Sequence, residues 1–260
     1  MARPKAVLFD FDGTLSTLRS GWEAVMRRLC LDTLCPGGDD ALTAALVDAY
    51  IDESTGIQTI FQMEWLRDEA VRRGVAPPDA DPWTLKEEYN RRLMDMVAAR
   101  ISAVFAGGVP PDSYRVAGAV EFIQSLREEG IQLFVASGTD EADVRLEADT
   151  LGLARYFDRI AGALPRRKDC GKEAVLRWLA SEKGWIGLDL CVIGDGKVEI
   201  GLGKELGART IGIAADETRR SGWDDNKRRR LANAGADRIW PDFIDKHGML
   251  SWMGIGESNL

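Results

Sequence analysis

Histidine is almost absent from this chain: His247 is the only one in 260 residues. The four cysteines, Cys30, Cys35, Cys170 and Cys191, form no CxxC pair. Together these two shortages exclude a zinc site built from His and Cys. Positive charge is also short. Lys and Arg number 34 against 42 Asp and Glu, a net charge of −8, which argues against a nucleic-acid-binding surface. A chain so balanced that binds an anion must concentrate positive charge locally, on a metal, a lysine or helix N-termini. No apolar run approaches the ~20 residues that span a bilayer, and no signal-type segment precedes the first apolar run. The expectation is therefore a soluble, reduced, cytoplasmic protein with no membrane partner. Nothing in the composition speaks to oligomeric state.

What is present suffices for one large domain or two modest ones, since 45% of the residues are hydrophobic and 29% charged. The organising stretch is residues 7 to 15, Val-Leu-Phe-Asp-Phe-Asp-Gly-Thr-Leu. The apolar run Ala6 to Phe9 predicts a short buried strand. It ends on Asp10, Asp12 follows, and Gly13 and Thr14 turn the chain. Two carboxylates at the end of a buried strand are costly unless a positive charge lies between them. The pattern reads as a divalent-metal site with a phosphoryl group beside it; the alternative is a solvated acidic turn.

Residues 16 to about 108 then read as almost wholly helical. Helices are predicted from Gly21 to Leu34, from a cap at Asp39 and Asp40 to Glu53, from Gly56 to Arg73, and from Pro82 to Ser102. Gly107-Gly108-Val109-Pro110-Pro111 marks a boundary, after which the period changes. A helix over 112–129 leads to the strand Ile131 to Ala136, and strands near 157–163, 189–193, 209–214 and 238–240 alternate with helices near 140–151, 172–183, 197–206 and 224–234. Such alternation implies a parallel sheet with right-handed crossovers. The tail after Trp240 carries no clear signal.

Sites in open parallel sheets lie at the carboxyl ends of the strands. Three further segments end there. Ser137-Gly138-Thr139 offers a hydroxyl and backbone N–H groups for a phosphate oxygen, or else an ordinary helix cap. Lys168 and Lys172 are the candidate cations for a phosphoryl site; Lys168 follows Arg166 and Arg167 in a basic turn, whereas Lys172 opens a helix. Gly194-Asp195-Gly196-Lys197-Val198-Glu199 sets two acids four apart across a turn into a helix.

In this order the four segments resemble the four motifs of the haloacid dehalogenase superfamily, with DFDGTL the first and most specific. The resemblance implies an α/β fold: a Rossmann-like three-layer core with a parallel sheet, residues 1–15 and 109–260, and an inserted all-helical cap, residues 16–108. It implies that Asp10 is a phosphoryl-accepting nucleophile and Asp12 an acid–base, a residue that members cleaving carbon–halogen bonds lack. It implies that Lys172 is the motif-three lysine, and that Ser137, Gly138 and Thr14 hold phosphate. Mg²⁺ would be bound by Asp10, the Asp12 backbone carbonyl and Asp195, with Glu199, standing where the family usually has Asp, reaching it directly or through water. The implied activity is Mg²⁺-dependent hydrolysis of a small organic phosphomonoester, a sugar phosphate, phosphoglycolate or similar metabolite, through an aspartyl-phosphate. A phosphomutase is the alternative, and a catalytically silent binding module a third reading. The branch of phosphoglycolate phosphatases and β-phosphoglucomutases shares the layout but usually carries an acid where Thr17 stands.

Three stretches are left open. The turn Ser54 to Thr59, with Gln62, is either a substrate-facing segment of the cap or a plain capped loop. Arg166, Arg167, Arg219 and Arg220 are expected on loops bordering the mouth of the site. The run Lys227-Arg228-Arg229-Arg230 is expected to be a solvated helix face.

Overall fold

The computed structural model describes residues 3–38 and 40–256. In chain order the elements are β1 (Ala6–Phe9), α1 (Trp22–Leu34), α2 (Ala41–Ser54), α3 (Thr59–Arg72), α4 (Pro82–Phe105), α5 (Ala119–Glu128), β2 (Gln132–Asp140), α6 (Glu141–Thr150), β3 (Arg159–Ala163), α7 (Lys172–Lys183), β4 (Leu190–Gly194), α8 (Lys197–Glu205), β5 (Arg209–Ile213), α9 (Asp225–Asn233), β6 (Arg238–Trp240) and α10 (Lys246–Trp252).

The six strands form one parallel sheet in the order β3-β2-β1-β4-β5-β6. The first strand is therefore central: Phe9 is in register with Val135 of β2 on one side and Ile193 of β4 on the other. Successive side chains point to opposite faces. Ala6 and Leu8 join Phe134 and Val192 beneath Val175, Leu176 and Leu179 of α7. Phe9 meets the rings of Phe122 and Phe243, with centroids 6.3 and 6.5 Å away. Burial on both faces is why the strands read as continuous apolar runs rather than alternating ones.

The chain divides into two compact units. One comprises residues up to Ser20 together with those from Ala103 onward; the other is Gly21–Ser102. The second unit is helical and is inserted directly after β1. Within it, Val47, Ile51, Ile60, Met63, Leu66, Leu93 and Val97 are buried, and Tyr50 stacks on Trp65 with centroids 3.7 Å apart. The Asp40 carboxylate accepts from the Leu42 and Thr43 N–H groups and so caps α2. Asp39, the other acid expected at that cap, lies outside the described residues.

Three local expectations are corrected. Residues 112–118 are not the start of a helix: Pro111–Tyr114 form a single 3₁₀ turn, and α5 begins only after Gly118. Gly118 has φ 77°, and a Cβ there would lie 2.6 Å from the Phe243 carbonyl, so the chain needs glycine to pass. Strand β2 runs on to Asp140, with a register shift against β3 between Ala136 and Asp140. The tail after Trp240 contains α10, started by Asp245 accepting from the Gly248 N–H.

Candidate active site

The site grows from the loop after β1. Asp10 N–H donates to the Ile193 carbonyl at 2.8 Å, extending the β1–β4 pairing by one residue and fixing the start of the loop. The Phe11 carbonyl then accepts from Thr14, Leu15 and Ser16 N–H groups at 3.3, 2.9 and 3.0 Å, a tight turn that passes through Gly13 at φ 73°. A side chain at position 13 is barred twice over: by that φ, and because its Cβ would lie 2.2 Å from Asp195 Oδ2.

Lys172, at the first turn of α7, is buried, and its ammonium sits 3.1 Å from Asp10 Oδ1 and 2.7 Å from Glu199 Oε2. Burial alone would lower the lysine's affinity for its proton, but Asp10 and Glu199 outweigh that and hold it above its ordinary range. Burial pushes the Asp10 carboxyl well above the carboxylate range, with Lys172 opposing and the neighbouring acids adding to the rise. Lys168, the rival cation, is exposed. Glu199 has both oxygens engaged, Oε2 by Lys172 and Oε1 by the Gly196 N–H at 2.5 Å.

Asp12 Oδ2 accepts from the Ser137 hydroxyl at 3.2 Å and the Thr139 hydroxyl at 2.8 Å. Both donors come from the irregular end of β2. Ser137 also accepts from the Thr139 N–H at 3.0 Å, with Gly138 between them, so it organises the strand end and does not cap a helix. Asp12 Oδ1 is buried with no hydrogen-bond partner; Arg19 Nε lies 3.7 Å from it. Thr14 is fully buried, and its hydroxyl donates to Asp195 Oδ1 at 3.4 Å.

The structure therefore brings Asp10, Asp12, Thr14, Ser137, Lys172, Asp195 and Glu199 to the carboxyl ends of β1, β2 and β4. Asp10, Asp195 and Glu199 each bring one carboxylate oxygen to within 4.8 Å of the others. The donor set is oxygen only and buried, and three carboxylates share it with the one Lys172 ammonium. These residues fit a hard divalent cation.

Two groups escaped the sequence reading. The run from Lys227 to Arg230 is not simply a solvated face, because Lys227 is buried, with Nζ 2.7 Å from both Asp195 Oδ2 and Glu217 Oε1. Burial opposes its charge, but these two carboxylates win and raise it above its ordinary range. In turn Lys227 outweighs the burial of Asp195 and holds that carboxyl below the usual carboxylate range. The signal was Leu231, four residues on and the buried apolar residue of α9, which puts Lys227 on the inward face. The second group is Arg19 with Glu147. Arg19 Nη2 meets Glu147 Oε1 at 2.7 Å and Asp143 Oδ2 at 3.3 Å. Glu147 is fully buried, and burial pushes its pKa up to about 7 against the pull of Arg19. Val144, Glu147, Ala148 and Leu151 follow helical spacing, so the acid stood on an apolar stripe.

The remaining candidates make contacts with residues outside the Asp10 cluster. Gln62 Nε2 donates to Ser54 Oγ at 3.0 Å, both side chains buried within the helical unit. Arg167 pairs with Asp169 at 2.6 Å, Arg219 with Asp216 at 3.0 Å, and Arg220 donates to the Asp112 carbonyl. Among the described residues no helix is long and apolar enough to cross a membrane.

Solved structures with the same fold are numerous. A phosphoglycolate phosphatase from Rhodospirillum rubrum is 26% identical over 97% of this chain and 92% of its own length. A crystal structure described as a predicted phosphoglycolate phosphatase from Haemophilus somnus superposes with a TM-score of 0.63, at 17% identity, over 96% of this chain and 99% of that one. A β-phosphoglucomutase from Clostridium difficile superposes with a TM-score of 0.66, at 14% identity, over 96% of both chains. Residues 4–207 match the family model for haloacid dehalogenase-like hydrolases, and the chain belongs to that family.

Proposed function

We propose that this protein is a Mg²⁺-dependent phosphatase that hydrolyses a small organic phosphomonoester through a phosphorylated Asp10. The observation that carries the reading is Lys172 buried between Asp10 and Glu199, opposite an Asp12 held by Ser137 and Thr139. Asp10 and Asp195, with the Asp12 carbonyl, would hold the metal; Glu199, already bonded through both oxygens, would act through water and as the partner that fixes Lys172. Bound there, Mg²⁺ supplies the positive charge that keeps Asp10 ionised and offsets the charge on the phosphoryl oxygens.

Asp10 attacks phosphorus in line; an oxygen–phosphorus bond forms on its carboxylate as the bond to the leaving alkoxide breaks. Asp12 gives the departing oxygen its proton, then takes one from the water that cleaves the aspartyl-phosphate. Ser137 and Thr139 aim the Asp12 carboxyl for both transfers. Lys172 neutralises non-transferring oxygens, and Gly138 and Thr14 line the same end of the sheet. The curated relative's name puts 2-phosphoglycolate first among candidate substrates.

The test is phosphate release from a panel of phosphomonoesters, including 2-phosphoglycolate and sugar phosphates, with and without Mg²⁺. Wild type is expected to turn over at least one ester only with metal, and Asp10→Asn to lose about a thousandfold or more. Sugar phosphate isomerised without free phosphate would turn the reading to a phosphomutase. No turnover of any ester, in wild type and variant alike, would sink it.

A further inference from the structure

Lys227 lies outside the residues matched by the family model, yet its ammonium is in the site. Its placement restricts how Asp195 can act as a ligand. Asp195 Oδ2 is held: Lys227 Nζ is 2.7 Å away, and the turn at Gly13 crowds the same side, where a Cβ would fall 2.2 Å from that oxygen and 3.0 Å from Nζ. Among the described residues Oδ1 accepts from the Thr14 hydroxyl, at the long distance of 3.4 Å. The clamp is itself fixed. Glu217 takes Lys227 from the loop before α9 at 2.7 Å, and Asp224 accepts from the Lys227 N–H at 2.9 Å. Asp195 can therefore offer an ion one oxygen, not two.

One oxygen per carboxylate suits one class of ion better than another. Mg²⁺ takes about six ligands at roughly 2.0–2.1 Å in near-octahedral order, whereas Ca²⁺ takes roughly six to eight and commonly grips a carboxylate by both oxygens. We propose that Lys227 is a positioning residue that makes the site selective for Mg²⁺ over Ca²⁺, by holding Asp195 to single-oxygen ligation. This rests on the reading of Asp195 as a metal ligand. Loss of the clamp frees Oδ2, and the site gains for Ca²⁺ more than for Mg²⁺.

Direct binding of each ion to the full chain, without substrate, tests it by calorimetry. The proteins are wild type, Lys227→Met and the charge-balanced Lys227→Met/Glu217→Gln, with folding checked by circular dichroism. Wild type should bind Mg²⁺ at least as tightly as Ca²⁺, and in the variants the ratio of the two dissociation constants should move about tenfold or more toward Ca²⁺. A general loss of structure would weaken both ions together and leave that ratio in place. A ratio within about twofold of wild type in a folded variant overturns the proposal but leaves the metal site standing. If neither variant folds, wild type decides, and tighter binding of Ca²⁺ than of Mg²⁺ overturns it. No binding of either ion to wild type removes the metal reading itself, and the proposal with it.

Discussion

The two units of this chain treat charge differently. In the helical insert most ion pairs lie in water, as Arg27 with Asp48 at 2.7 Å, their side chains 43% and 53% exposed, and Arg91 with Glu88 at 2.8 Å; the most enclosed, Arg73 with Glu69 at 2.7 Å, still leaves 23% and 11% of its side chains exposed. Lys86 is its buried cation, lying over the Trp83 ring. In the sheet unit, which has surface pairs too, three cations are buried against carboxylates near one end of the sheet: Lys172 on Asp10 and Glu199, Lys227 on Asp195 and Glu217, Arg19 on Glu147. A surface pair is worth about 0–1 kcal/mol, whereas taking both partners out of water costs several kcal/mol per ion before their attraction repays it. Three such pairs around one loop are an expensive route to stability. Their concentration marks the place where the molecule needs charge held still, and the insert has no comparable cluster among its described residues.

This contrast can be broken at several strengths. The largest effect is expected from Lys172→Met, which strips the cation between Asp10 and Glu199. Phosphate release should fall about 10²–10³-fold in kcat, and chemical unfolding should register a loss of about 3–5 kcal/mol from the stranded carboxylates. A variant with near-normal kcat would mean that the pair is only architectural.

Glu147→Gln probes the second cluster through pH. The folded carboxyl titrates at about 7 against an ordinary 4.5. Because the folded value is raised, the stability this group contributes is full below the unfolded value and is lost as pH rises through the folded one. Relative to Glu147→Gln, wild type should lose on the order of 3 kcal/mol between those two pH values, as read from urea unfolding of both proteins. A flat difference would show that the buried acid ionises like an exposed one.

The smallest effect is expected in the insert. Arg91→Ala should leave both the urea-unfolding midpoint and turnover unaltered. A loss comparable to that of Lys172→Met would erase the distinction between the units.

What the sequence made legible follows the same divide. Asp10, Ser137 and Asp195 stand at the ends of apolar runs, and in a parallel sheet those ends meet, so linear order alone brings them together. Lys172 was legible because it opens a helix between two of those runs. Lys227 was not. In Asp-Asn-Lys-Arg-Arg-Arg-Leu three further cations mask it, and only the phase set by Leu231 turns it inward. Arg19 and Glu147 are 128 residues apart, and no local pattern announces a pair whose members lie on separate elements. The short start of α5 was missed because Gly118 serves a backbone approach to Phe243, a tertiary demand with no local trace.

The position of β1 has a consequence for how the chain is made. Its neighbours in the sheet are Gln132–Val135 and Leu190–Ile193, so the first strand synthesised is among the last to be enclosed. Ala-Val-Leu-Phe must wait through the whole insert, whose helices close on near neighbours, before either edge finds a partner. Until residue 135 has emerged, the segment leading into the loop of Asp10 and Asp12 is an unpaired apolar strand, and until residue 193 has emerged one of its edges stays open, the kind of surface that nascent chains have to shield.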